Sequence, residues 1–203
     1  MSPSNQSSFP RIPISLSLLA LATSAALSSC NDLPRRRGEA VQTVSSGKLE
    51  KKNPIDVVVP PIENATAEQD VPLAMLRGAF QKGLLRRRYS PLALDYIDGK
   101  VVDAAYTPGS LKEEAVLQVT VETWDTSLLE TRGVLNVKAH AKLIDAENPG
   151  NGQLWGGFID HRFELEDQRE RFSSREALLE YACGQIADEV LAALPARSAG
   201  PGG

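Results

Sequence analysis

Two histidines and one aspartate are the residues whose types and spacing come nearest to a metal site. His140 lies in an alternating stretch, 134–145, and His161 directly follows Asp160 in the next extended stretch. If a hairpin pairs the two stretches, both imidazoles and the carboxylate come together, and such groups are common zinc ligands. Neither histidine belongs to a ligand motif such as two histidines four apart on a helix. A metal site and two exposed sheet-surface histidines both stay open as interpretations.

The remaining reactive side chains have structural explanations. Cys183 falls on the apolar stripe of the last predicted helix, where a small buried hydrophobe is the expected role. Ser173 and Glu176 form a Ser-x-x-Glu capping box at the start of that helix. The sequence contains no Gly-x-Ser-x-Gly and no phosphate-binding Gly-x-x-x-x-Gly-Lys-Ser/Thr loop. We therefore predict a protein that is not an enzyme, with no catalytic residues, no cofactor and no resident metal.

Length and charge restrict the class of protein further. The 203 residues suffice for one domain with a core. Their 42% apolar and 24% charged content is typical of a globular chain. The net charge of −4 and the short basic clusters argue against a nucleic-acid partner. No motif indicates a small-molecule substrate.

The N-terminal segment predicts a lipid anchor. An uncharged run, "IPISLSLLALATSAAL", is shorter than the ~20 residues that span a bilayer as a helix, and it fits a signal peptide over residues 1–29. The run ends in Leu27-Ser28-Ser29-Cys30, which resembles the bacterial lipobox. That resemblance implies that Cys30 carries a diacylglyceryl group and becomes the first mature residue. Several acyl chains give stable anchoring. The Asn after the cysteine favours the outer membrane.

Composition divides the rest of the chain into three parts. Residues 30–53 are polar and lack a periodic apolar face, which predicts a flexible tether. Residues 54–195 contain the patterned elements and form a single domain. Residues 196–203 contain Gly and Pro and predict a disordered tail.

The apolar pattern predicts an α+β domain: a mixed sheet of about five strands with helices packed on it. A helix is predicted over 71–86 with Asp70 as its N-cap, and the stretch 98–110 fits either a loop or one helical turn. A C-terminal helix follows the capping box, and the element order is β-α-β-(α)-β-β-β-α. The predicted strands span residues 55–59, 91–97, 115–124, 134–145 and 153–165.

Three stretches of the domain carry a family pattern: "PIDVVVPPIENAT", "AVLQVTVETWDTS" and "VKAHAKLIDAENPGNGQLWGG". They resemble a family of bacterial lipoproteins of unknown function, whose domain is similar to the TolB N-terminal and CsgG-type folds. The chain departs from that family at Lys112-Glu113-Glu114, where Gly-Ala-Asp is usual. The resemblance implies a periplasm-facing, non-catalytic domain that associates with itself or with envelope assembly and secretion machinery.

These observations together predict an outer-membrane lipoprotein that acts as an interaction or assembly module. Its contact surface would be the polar face bearing Lys138, His140 and Lys142, or an unpaired sheet edge. Its partners would be the membrane, through the lipid, and envelope proteins or further copies of itself. Two alternatives are an activator of peptidoglycan synthesis, a role known for a related lipoprotein fold, and a metal-binding envelope enzyme that uses His140 and His161.

Overall fold

The structure is a computed structural model that describes residues 44–45, 47–101, 106–169 and 171–198. The predicted signal peptide, Cys30, the first part of the predicted tether and the end of the predicted tail lie outside the described residues. No helix in the described ranges combines the length and the apolar character needed to cross a bilayer.

The described residues form seven strands and six helices. The strands are β1 Val44–Ser45, β2 Asp56–Val58, β3 Glu63–Asn64, β4 Ser90–Pro91, β5 Ala115–Asp125, β6 Val134–Asp145 and β7 Gln153–Glu164. The helices are α1 Lys48–Lys52, α2 Leu73–Arg86, α3 Leu94–Val101, α4 Leu129–Arg132, α5 Glu166–Arg169 and α6 Arg175–Leu191.

All strands belong to one mixed sheet in the order β1-β7-β6-β5-β2-β4, with β3 also paired to β5. Strands β5, β6 and β7 form an antiparallel meander, whereas β2 runs parallel to β4 and β5. An early crossover through α2 therefore precedes a three-stranded meander. This confirms the predicted α+β class. Strands β2, β5, β6 and β7 correspond to four of the five predicted strands, and β1, β3 and β4 have only two residues each.

One face of the sheet packs against α2 and α6. Side chains alternate between the two faces of a strand, and the odd-numbered residues of β5 from Ala115 to Val121 are buried in the main core. Gly83 allows α2 and α6 to meet closely, because a Cβ there would lie 2.6 Å from the Leu191 side chain. On the opposite face, Val116 and Ile144 form a small second cluster under Tyr106.

The predicted strand over 91–97 is wrong. Only Ser90–Pro91 is extended, and Leu94–Val101 is helix α3. Leu94, Ile97 and Val101 have the i, i+3, i+7 spacing of a helix face, and Ile97 is fully buried. Proline donates no backbone hydrogen bond, which suits the short edge strand that precedes α3.

The two predicted domain boundaries are also wrong in part. Residues 48–52 of the predicted flexible tether form α1, whose Leu49 is buried in the main core. Lys52 joins α1 to Asp145 by an ion pair of 3.2 Å. In the predicted tail, the amide of Arg197 donates to the carbonyl of Arg87 at 2.9 Å. Both segments are held by tertiary contacts, which local composition does not show.

Two predicted helix caps differ from the structure. Helix α2 begins after Pro72, without a side-chain cap, while Asp70 is exposed and lies 3.8 Å from Arg175. Helix α6 is capped by Ser174 rather than Ser173, because the Ser174 hydroxyl accepts the amide of Ala177 at 3.2 Å. The capping chemistry is as predicted and the residue is displaced by one.

Candidate functional site

The second face of the central strands is mostly polar and is partly exposed, and we call it the open face. The helices α2 and α6 pack on the other side of these strands, so the residues that alternate with the core positions project away from the main core. The β-bulge between Val121 and Thr123 shifts this alternation in β5, and Trp124 therefore lies in the core. The open face consists of Gln118, Thr120, Glu122, Asn136, Lys138, His140, Lys142, Phe158, Asp160 and Arg162.

The two histidines lie on opposite faces of the sheet. His140 is paired with Phe158 on the open face, while His161 is paired with Val137, a core residue. The His161 ring makes an edge contact with Phe163 at 4.7 Å, and its Nε2 lies 3.9 Å from Glu189 of α6.

The sequence left open that a hairpin brings His140, Asp160 and His161 together, and the structure does not bring them together. The hairpin register sets His140 opposite Phe158, and His161 is three residues further along the strand, so the pleat directs it to the other face. Across the described ranges, no group of three or more His, Cys, Asp or Glu side chains is placed to hold a metal ion.

A charge network organises the centre of the open face. The Lys138 Nζ lies 2.8 Å from Glu122, and the Nδ1 of His140 lies 3.5 Å from the same carboxylate. Lys138 also lies over the Phe158 ring, 5.7 Å from its centroid. The hydrogen bond from Lys138 lowers the pKa of Glu122 and raises the pKa of Lys138. Both groups are therefore charged at neutral pH.

Two reactive side chains of α6 and its cap have structural roles in the fold. Cys183 is fully buried, and burial, together with the nearby Glu180 charge, raises the pKa of its thiol to about 12. A thiol with that pKa forms little thiolate at neutral pH, so it is a poor nucleophile. Ser174 is engaged as the cap of α6. Cys30, the predicted lipid attachment site, lies outside the described residues.

The sequence reading missed a buried carboxylate that fixes the loop before β5. Glu113 is 4% exposed and accepts hydrogen bonds from the Tyr106 hydroxyl and from the amides of Gly109 and Leu111. Burial, followed by the contact with Glu113, raises the pKa of Tyr106 well above its usual value. The Lys-Glu-Glu sequence there gave no local signal that one glutamate is buried.

The fold and the open face define an α+β protein with a mixed sheet, helices on one side and a charged polar surface on the other. No family model matches the sequence, and no curated protein matches it. Solved structures do share the fold.

Two of these solved structures are PelC and a Neisseria lipoprotein. The PelC dodecamer from Paraburkholderia phytofirmans has a TM-score of 0.51 and 18% identity, over 78% of this chain and 99% of that one. Lipoprotein GNA1162 from Neisseria meningitidis has a TM-score of 0.47 and 21% identity, over 66% of this chain and 99% of that one. At such identities the similarity to PelC shows the fold alone.

Proposed function

We propose that this chain is a bacterial envelope lipoprotein, anchored in the outer membrane by a lipid on Cys30 and facing the periplasm. Its domain acts as a non-catalytic assembly module that associates with copies of itself. The lipobox Leu27-Ser28-Ser29-Cys30 supports the anchor. The charged, partly exposed open face carries the assembly part of the proposal.

The open face suits a second copy because it carries charges of both signs. Lys138, Lys142 and Arg162 lie on the same surface as Glu122 and Asp160. A surface of mixed sign can be complementary to itself across a two-fold or a head-to-tail contact. The dodecameric state of PelC, which shares the fold, is consistent with this use of the domain.

The chain before the domain supports a position close to the membrane. Residues 31–43 precede the first described strand and span at most ~45 Å even when fully extended. This reach is shorter than that of the predicted tether of residues 30–53, because α1 of that segment packs on the domain. A short reach favours assembly at the membrane surface over the alternative of contact with a distant peptidoglycan synthase. A link to secretion machinery rests on the TolB and CsgG resemblance.

Sedimentation of the detergent-purified, full-length protein tests the assembly. We expect an oligomer that Lys138→Glu weakens. The substitution adds a carboxylate beside those of Glu122 and Asp160, so that three negative charges lie close together. The matched control is Lys82→Glu. Lys82 is an exposed lysine on α2 that pairs with Glu180 at 3.6 Å, away from the open face. A wild-type protein that stays monomeric at every concentration, or equal effects of the two variants, would contradict the proposal.

A further inference from the structure

A cavity of about 480 Å³ lies over part of the open face, beside the segment that follows β2. Its floor is formed by Gln118 and Thr120 of β5 with His140 and Lys142 of β6. Glu63 of β3 and Tyr106 also line the cavity. The volume falls in the range of ~300–1,000 Å³ that is usual for small-ligand sites.

Two polar side chains on the cavity floor have no partner among the residues that the structure describes. Gln118 and Lys142 are directly opposite each other in the β5–β6 register, and both are exposed. Neither makes a hydrogen bond or an ion pair with any described residue, whereas the neighbouring Thr120 donates to Glu63 at 3.0 Å. The floor therefore offers a free ammonium group and a free amide to a bound molecule.

The cavity presents one carboxylate and one ammonium on opposite sides of β5. Glu63 is paired with Thr120 on one side of this strand, and Lys142 is paired with Gln118 on the other. Neighbouring strands are ~4.8 Å apart, so β3 and β6 are separated by roughly 10 Å. Tyr106 and two prolines, Pro60 and Pro61, add apolar surface to the lining of the cavity.

This arrangement selects against a simple ion. An isolated anion in the cavity would face the Glu63 carboxylate, and an isolated cation would face the Lys142 ammonium. A molecule that carries both charges is attracted at both ends, because its carboxylate meets Lys142 and Gln118 while its ammonium meets Glu63. An extended peptide advances ~3.3 Å per residue, so two or three residues span the roughly 10 Å between the strands.

From this geometry we propose that the cavity binds a short zwitterionic peptide of two or three residues with free termini. The peptide's carboxylate lies against Lys142 and Gln118, its amino group lies against Glu63, and its small side chains contact Tyr106 and the two prolines. The site is separate from the lipid anchor. Because Thr120, His140 and Lys142 belong to the open face, the proposal requires that copies of the chain meet through the part of that face around Lys138, Asp160 and Arg162 and leave the cavity uncovered.

Saturation-transfer NMR titration of the full-length protein with trialanine tests the inference. We expect saturable binding in the millimolar range that weakens about tenfold in Lys142→Ala and in Glu63→Gln, since each change removes one charge-assisted contact. N-acetyl-trialanine and trialanine amide each lose one terminal charge and should weaken by a similar factor. Lys82→Ala, on the helical side of the sheet, should bind trialanine as the wild type does.

Three results would overturn this assignment. They are a wild-type protein without saturable trialanine binding, blocked peptides that bind as tightly as trialanine, and Lys142→Ala binding that equals that of Lys82→Ala. Circular dichroism of each variant confirms that it is folded, and the exposed positions of Glu63 and Lys142 favour this. If trialanine does not bind, the sedimentation expected for the wild type and for Lys138→Glu is unchanged.

Discussion

Replacing Gly157 by alanine tests how α6 is seated on the sheet. Gly157 lies in β7 opposite Ala141, and a Cβ at this position would be 2.5 Å from the Trp155 ring and 2.7 Å from the carbonyl oxygen of Val190. Trp155 is fully buried, and the Val190 oxygen belongs to the backbone of α6. The new methyl group can therefore be accommodated only if the buried Trp155 ring shifts and the helix moves away from the sheet.

The expected cost is that of an overpacked core. Such insertions cost ~1–3 kcal/mol of unfolding free energy. For a chain of this size the corresponding fall in Tm is roughly 3–10 °C. Thermal unfolding followed by circular dichroism, together with urea titration, measures both quantities.

Gly78→Ala provides a matched control with the same chemical change. Gly78 lies inside α2, and a Cβ there would have no atom within 4 Å. Alanine in a helix interior is more stable than glycine by ~0.5–1 kcal/mol, so we expect a small rise in Tm. A Gly157→Ala protein as stable as the wild type, or a shift of the same sign in both variants, would refute the packing of α6 described above.

Two further predictions concern buried polar groups. The folded-state pKa of Cys183, about 12, is raised above the ordinary 9.0, so its stabilising effect is fully present below about pH 9 and is lost as the pH rises towards 12. Between these pH values, urea titration should show that the free energy of unfolding of the wild type falls by about 1 kcal/mol per pH unit more than that of Cys183→Ala. Parallel plots of the free energy of unfolding against pH for the two proteins would contradict this prediction. Arg77 is buried, donates to the Val59 carbonyl at 2.8 Å and pairs with Asp98 at 2.6 Å. Arg77→Ala should cost ~1–3 kcal/mol in the same titration, against ~0–1 for the exposed Arg86→Ala, and equal losses would contradict it.

The long elements of the fold were predictable because their periodicity extends over many residues. Strands β5 and β6 are eleven and twelve residues long and alternate between core and outer face over most of their middle parts, and the sequence pattern places both strands within a residue or so. The stretch 91–97 is too short for such a pattern, and a seven-residue apolar run fits a strand or a helix equally well. The helix α1 was not predictable, because Leu49 is ordered by the core it enters rather than by its neighbours in sequence.

The composition of the open face was predictable and its cross-strand partners were not. Alternation alone assigned Lys138, His140 and Lys142 to one surface, as observed. The position of His161 depends on the hairpin register, which the seven residues between β6 and β7 and the irregularity at Leu143 and Ile144 determine. The cavity likewise depends on β3, a two-residue strand that only its pairing with β5 defines.

Metabolic labelling with palmitate tests the central claim most directly. The chain has two cysteines, which provide a matched pair of variants: Cys30→Ser removes the proposed attachment site, and Cys183→Ala removes the buried thiol of α6. We expect wild type and Cys183→Ala to carry the label and to sediment with the outer membrane, and Cys30→Ser to lose both properties. An unlabelled wild-type protein, or a Cys30→Ser variant that keeps its label and its place in the membrane fraction, would contradict the account.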